Sequence, residues 1–172
     1  MNPRCLSGLA ALSLVLLLAP AQAAPLAPGA DAPALIVKDQ EGTEIDLGAA
    51  FKTGVTLVYF YPKADTPGCT KQACNIRDQK ALLEAAGIKV FGVSADTVED
   101  QKKFSDKFSL PFPLLADKDG KVIAAFGVPA NARGLASRQS FLIKDGKVIW
   151  HQPQANPMTQ AEDAIAALKA QG

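Results

Sequence analysis

Apolar positions along the chain fall into two rhythms. Val55 to Tyr61 is a run rich in aromatic and β-branched residues, apolar on both faces, which predicts a central buried strand. Ile88 to Ser94 repeats that pattern and predicts a second buried strand. Shorter apolar runs at Leu35 to Val37 and Ile45 to Leu47 flank the turn residues Asp39-Gln40-Glu41-Gly42, as in a small hairpin. Leu114 to Ala116 predicts a short strand ending at Asp117-Lys118-Asp119-Gly120. Phe141 to Ile143 and Val148 to Trp150 flank Lys144-Asp145-Gly146-Lys147, whose Asp-Gly pair favours a hairpin.

Helical spacing lies between these runs. Cys69 to Ala86 contains neither Pro nor Gly and stops at Gly87, which predicts one helix with a glycine terminator. Thr97 to Phe108 predicts another, with Thr97 as cap and Asp100 three residues on. Ala161, Ala164, Ile165 and Leu168 give Met158 to Ala170 the apolar stripe of a closing helix. Strands alternate with helices in the middle, and a hairpin precedes the last helix. The expectation is a single α/β domain, a sheet with helices on both faces.

The first 23 residues do not share this patterning. Arg4 gives a short basic start, Leu6 to Leu18 an apolar stretch and Ala21-Gln22-Ala23 a small-residue cleavage site, which together predict a secretory signal. The stretch is shorter than the ~20 residues of a spanning helix. Cys5 precedes it, so no cysteine stands at the cleavage site to carry a lipid. Cleavage near Ala23 would leave an exported chain, expected in a bacterial periplasm and free of the membrane. Residues 24–33, rich in Pro and Ala, predict an extended lead-in, and the folded unit is expected over residues 34–172. The mature chain balances 17 basic against 17 acidic residues with no basic stripe, which argues against nucleic acid and anionic membrane as partners.

Cys69 and Cys74 are the cysteines left after cleavage, and in an oxidising compartment a structural bridge between them is the plain expectation. Their context, YPKADTPGCTKQAC, suggests more chemistry than that. It puts Cys69 after a Thr-Pro-Gly turn, at the start of the predicted helix, where unpaired N–H groups and the helix dipole favour a thiolate. Thr66, three residues before the sulfur, brings a hydroxyl to the same place, and Pro62 fixes the chain leaving the strand. Arg77 and Asp78 are read as structural support on that helix. His151, the one histidine, leaves any metal site short of common ligation, so it is read as a strand-end side chain and no metal or cofactor is expected.

The spacing of proline, three residues, threonine, two residues and cysteine is met by Pro62, Thr66 and Cys69, and a second segment reads Arg138-Gln139-Ser140-Phe141-Leu142-Ile143. In both, from about Pro28 to Leu168, the chain resembles the peroxiredoxins, most closely the bacterioferritin comigratory protein, or peroxiredoxin Q, branch. The resemblance implies a thioredoxin-like fold with a central mixed sheet flanked by helices. It implies Cys69 as the peroxidatic cysteine and Cys74 as the resolving one, joined as a disulfide during turnover. It also implies Thr66 and Arg138 as the groups that bind and polarise a peroxide. A thioredoxin-like protein is the reductant expected, and the chain is expected to act as a monomer. Gln72 stands where some peroxiredoxins carry glutamate, so no carboxylate relay is expected. The small-residue segment Pro129 to Ser137 fits the family pattern weakly, and its conformation decides where Arg138 lies.

The chemistry sets its own demands. A free cysteine at neutral pH is already a few per cent thiolate, so full ionisation gains only about 30-fold. The remaining acceleration has to come from donors aimed at charge moving onto the far peroxide oxygen. The Thr66 hydroxyl, the Cys69 N–H and the Arg138 guanidinium suit that role. On one intact helix, five residues set the two cysteines roughly 140° apart with about 7.5 Å of rise. A disulfide rarely spans Cα atoms more than ~7 Å apart, so the helix must unwind around Thr70 to Asn75 before the bond closes. Two other functions are compatible with the fold. A general disulfide oxidoreductase usually has two residues between its cysteines, where four stand here. A copper-delivery protein would use both sulfurs and His151.

Overall fold

The computed structural model describes residues 23–171. In chain order the elements are β1 (Ile36–Lys38), β2 (Glu44–Asp46), α1 (Leu47–Phe51), β3 (Val55–Phe60), α2 (Pro67–Asp78), α3 (Lys80–Ala85) and β4 (Ile88–Ser94). They continue as α4 (Val98–Phe108), β5 (Leu114–Ala116), α5 (Lys121–Ala125), β6 (Ser140–Lys144), β7 (Lys147–Gln152) and α6 (Gln160–Lys169). The hairpin β1-β2 forms its own small sheet, and the main sheet has the order β5-β4-β3-β6-β7. It is mixed: β3 runs parallel to β4 and antiparallel to β6.

Period-two alternation in β3 divides the core. Leu57, Tyr59 and Tyr61 face a layer with Ala73 and Ile76 of α2, Leu83 of α3, Phe104 of α4 and Ala161 and Ala164 of α6. Val58 and Phe60 face the opposite layer, with Phe51 of α1, Val122 and Ile123 of α5, Phe126 and Phe141. Helices thus cover both faces of the sheet, and β3 is buried along its whole length.

Local signals act as expected at several joints. Thr97 caps α4 by accepting from Asp100 N at 3.1 Å. Asp145 and Gly146 both have positive φ, at 52° and 76°, which is what a tight β6-β7 turn demands. The expected helix over residues 69–86 divides in two: α2 starts earlier, with Pro67 in its first turn, and the chain leaves helical geometry at Gln79 (φ −96°, ψ 9°) before α3. The strand expected at Ile45 to Leu47 ends at Asp46, whose carboxylate accepts from Ala49 N at 3.0 Å and starts α1 at Leu47 instead. Helix α5, which the sequence reading passed over, begins where buried Asp117 accepts from Ile123 N at 2.8 Å.

The segment expected as an extended lead-in contains a turn, with Ala30 N bonded to Ala27 O at 3.0 Å and Gly29 at φ 94°, and it lies beside the start of β7, with Gly29 N bonded to Val148 O at 2.8 Å and Ala32 N to Gly146 O at 2.8 Å. The predicted signal, apart from its last residue, lies outside the described residues. Among the described residues no helix is long and apolar enough to cross a membrane.

Candidate active site

The site forms where β3 hands over to α2. Between them the loop turns sharply at Asp65, which has a φ of 55° and is tied to Lys107 of α4 at 2.7 Å. A buried polar cluster holds the loop from below. Tyr61 donates its hydroxyl to Gln101 Oε1 at 2.5 Å, Gln101 donates to Ser94 Oγ at 2.9 Å, and Ser94 donates to Asp96 Oδ2 at 2.6 Å. Asp96 in turn accepts from Ala64 N at 2.7 Å. Pro62, half-buried, lies within the segment this cluster fixes.

Cys69 falls in the first turn of α2, and its side chain is 2% exposed. Thr66 occupies the N-cap position but makes no capping bond; its hydroxyl donates to Lys63 O at 3.0 Å. Thr70 is the residue whose N–H closes the first helical bond, to Thr66 O at 2.8 Å. The Cys69 N–H is therefore left among the unpaired donors of the helix's first turn.

Arg138 arrives from the start of β6. Its Nη2 lies 3.5 Å from Cys69 Sγ, and its Nη1 donates to Gln72 Oε1. Gly68 makes room for it: a Cβ there would meet Nη2 at 3.3 Å, inside comfortable contact. The segment before Arg138 is a closed loop, with Asn131 Oδ1 accepting from Arg133 N and Leu135 N and Ser137 N bonded to Pro129 O at 2.7 Å. That closure aims Arg138 at the sulfur.

Gln72, fully buried, donates from Nε2 to Gln160 Oε1 at 2.5 Å, and Gln160 donates to Ser140 Oγ. Cys74, half-buried and unbridged, sits on the same unbroken α2 as Cys69. Asn75 fastens that helix to α6: its Oδ1 accepts from Ala161 N at 3.2 Å and its Nδ2 donates to Met158 O at 3.0 Å. Arg77 pairs with Asp78 at 2.8 Å and donates to Phe108 O at 2.7 Å, tying α2 to the end of α4.

Two tyrosines lie beneath the site. Burial, then Tyr61 and the two cysteines, push the Tyr59 phenol well above its ordinary range; burial likewise raises Tyr61. Both stay neutral, which removes them as proton acceptors. The Tyr59 hydroxyl has no hydrogen-bond partner among the described residues. His151 is elsewhere, stacked on Phe141 with centroids 4.4 Å apart and bonded through Nε2 to Gln139 Oε1 at 2.8 Å. The structure thus gathers Cys69, Arg138 and Gln72, keeps Thr66 at the helix mouth, and leaves His151 outside. Gln160 and Asn75 escaped the sequence reading, because a polar residue on a helix reads as solvated until its neighbours are known.

The AhpC/TSA family profile matches residues 28–152. The chloroplastic peroxiredoxin Q of Sedum lineare is 39% identical over 144 residues, which cover 82% of this chain and 77% of that protein. A rice (Oryza sativa subsp. japonica) peroxiredoxin Q is 42% identical over 122 residues, 70% of this chain but only 56% of the relative's length. Among solved structures, peroxidoxin BcpB of Mycobacterium tuberculosis superposes with a TM-score of 0.78 at 34% identity, covering 83% of this chain and 96% of that one. Peroxiredoxin Q of Xanthomonas campestris gives 0.73 at 31% identity, covering 79% and 90%. A thiol set where the central strand of such a sheet passes into a helix is the arrangement of the thioredoxin-like peroxiredoxins. The chain belongs to the AhpC/TSA family, in its peroxiredoxin Q and bacterioferritin comigratory protein branch.

Proposed function

We propose that the protein is a thiol-dependent peroxidase in which Cys69 is oxidised and Cys74 resolves it. The observation that carries the reading is the Arg138 guanidinium 3.5 Å from a buried thiol in the first turn of α2. The Cys69 thiolate attacks the terminal oxygen of a hydroperoxide; the S–O bond forms as the O–O bond breaks, leaving a sulfenic acid. The departing alkoxide or hydroxide takes up a proton and leaves as alcohol or water. Arg138 and the Cys69 N–H stabilise the charge as it crosses. Because Thr66 spends its hydrogen on Lys63 O, its oxygen serves as acceptor for the peroxide O–H, a different role from the donor expected from sequence.

Cys74 then attacks the sulfenic sulfur, expelling hydroxide and forming the Cys69–Cys74 disulfide. With both cysteines on one intact helix, closure requires α2 to open over residues 70–75, which breaks the Gln72 and Asn75 bonds to α6. An external dithiol of thioredoxin type would reduce the disulfide. A monomer contains every group used up to disulfide formation, which supports a monomer as the working unit. A solved structure of the Xanthomonas campestris bacterioferritin comigratory protein is described for alkyl peroxide reduction, which supports organic hydroperoxides as substrates here.

Export rests on residues 1–23, since the plant relatives are named chloroplastic and lend a periplasm no support. N-terminal sequencing of the exported protein should begin at Ala24. The decisive experiment mixes reduced protein with hydrogen peroxide and follows Cys69 by rapid quench and mass analysis, beside Cys69→Ser and free cysteine. A rate orders of magnitude above free cysteine, ending in the Cys69–Cys74 disulfide, is the expected result; a rate equal to free cysteine's refutes the reading.

A further inference from the structure

Arg138 can only donate hydrogen bonds, and that fact orients everything behind it. Gln72 must turn its oxygen toward Nη1, so its amide nitrogen faces Gln160. Gln160 must then present its own oxygen, which sends its nitrogen to Ser140 Oγ. Gln72, Gln160 and Ser140 are each 0% exposed, so bulk solvent does not reach these positions. Turning either amide over would set donor against donor in the buried chain. The chain begins at the Arg138 side chain and ends at the Ser140 hydroxyl two residues later, closing a loop through α2 and α6.

We propose that Gln160 is a positioning residue for Cys69. By locking the Gln72 amide, it holds the Arg138 guanidinium against the sulfur. The inference rests on the reading of Cys69 as the reactive thiol. An apolar side chain of similar size would serve the packing of α6 beside Ala161 and Ala164, which are themselves fully buried. A buried amide is retained at a desolvation cost, and here its two bonds lead to an arginine on the reacting atom. The neutral acceptor has a second consequence. Among the described residues Arg138 bonds to Gln72 and Cys69 and to no carboxylate, so its charge stays directed at the sulfur.

The test is Gln160→Leu, made in the whole chain and again in an Arg138→Ala background, with hydrogen peroxide oxidation and iodoacetamide alkylation of Cys69 both followed. The expected result is a fall of about tenfold in the peroxide rate in the first, and a change below about twofold in the second. An equal loss in both backgrounds, or none in either, overturns the proposal. Alkylation needs a thiolate but no peroxide, so it separates the two readings. A wild-type protein that alkylates readily yet oxidises like free cysteine sinks the peroxidase, and Gln160 is then judged on alkylation alone by the same comparison. Should the leucine variant fail to fold, Ser140→Ala cuts the chain at its other end with little change of volume, and the same two backgrounds decide.

Discussion

Arg138 Nη2 stands 3.5 Å from Cys69 Sγ while its other terminal nitrogen grips Gln72, so one planar group is held at two points. Lysine would keep the charge and lose the fork. Arg138→Ala is expected to slow Cys69 oxidation by about 10²–10³, as loss of a donor to developing charge does elsewhere. Arg138→Lys should recover only part of that. Stopped-flow oxidation of the three proteins checks the order; a lysine variant equal to wild type would mean that charge alone matters.

Cys74→Ser should leave peroxide-treated protein with Cys69 as sulfenic acid, advancing to sulfinic acid when peroxide is in excess. Wild type under the same pulse should show the intramolecular disulfide. Intact-mass analysis distinguishes the products, and a disulfide-free wild type would remove Cys74 from the cycle.

Asn75→Ala should make α2 easier to open. It removes bonds to Ala161 N and Met158 O, each contributing about 1 kcal/mol net, and losing the pair corresponds to roughly 30-fold more frequent opening. Disulfide closure should quicken, sulfinic acid should accumulate less, and amide exchange over residues 70–75 should rise. Slower closure in this variant would contradict an opening-limited step.

Burial lowers the His151 pKa below its ordinary value, so the folded state favours the neutral ring. Its contribution to stability is complete above the unfolded-state value of about 6.5 and is lost as pH falls through the lowered folded value. Thermal unfolding midpoints should therefore decline as pH falls from about 6.5 through the lowered folded value, and His151→Gln should decline less. A variant with the wild-type slope would place the acid sensitivity elsewhere.

The sequence made the sheet and the reactive turn legible for physical reasons that the structure displays. Val55 to Tyr61 is apolar on both faces because β3 has a helical layer on each side. The Thr-Pro-Gly turn before Cys69 reads directly as a helix start. Helices α1 and α5 were not legible, because five residues are too few to show a period and their starts depend on the side chains of Asp46 and Asp117. The break at Gln79 has no Gly or Pro to mark it. In the site, Cys69 and Thr66 stand out from the turn and helix start, and Arg138 only through the family resemblance of its segment, whereas Gln160 carries no such signal: its meaning depends on α6 crossing α2, a contact between residues 88 positions apart.

Both borders of the main sheet are shortened, one by a covering segment and the other by its own length. Beyond β7 lies residues' 29–32 own backbone, bonded to Gly146 and Val148, and β5 on the far side is only three residues long. An unpaired strand border is a template for aggregation. A protein whose proposed cycle loosens a helix above its central strand would expose apolar surface each time. Short and partly covered borders leave that transient form little to stack on, so a molecule can come partly undone, repeatedly and among many copies of itself, with less tendency to join them.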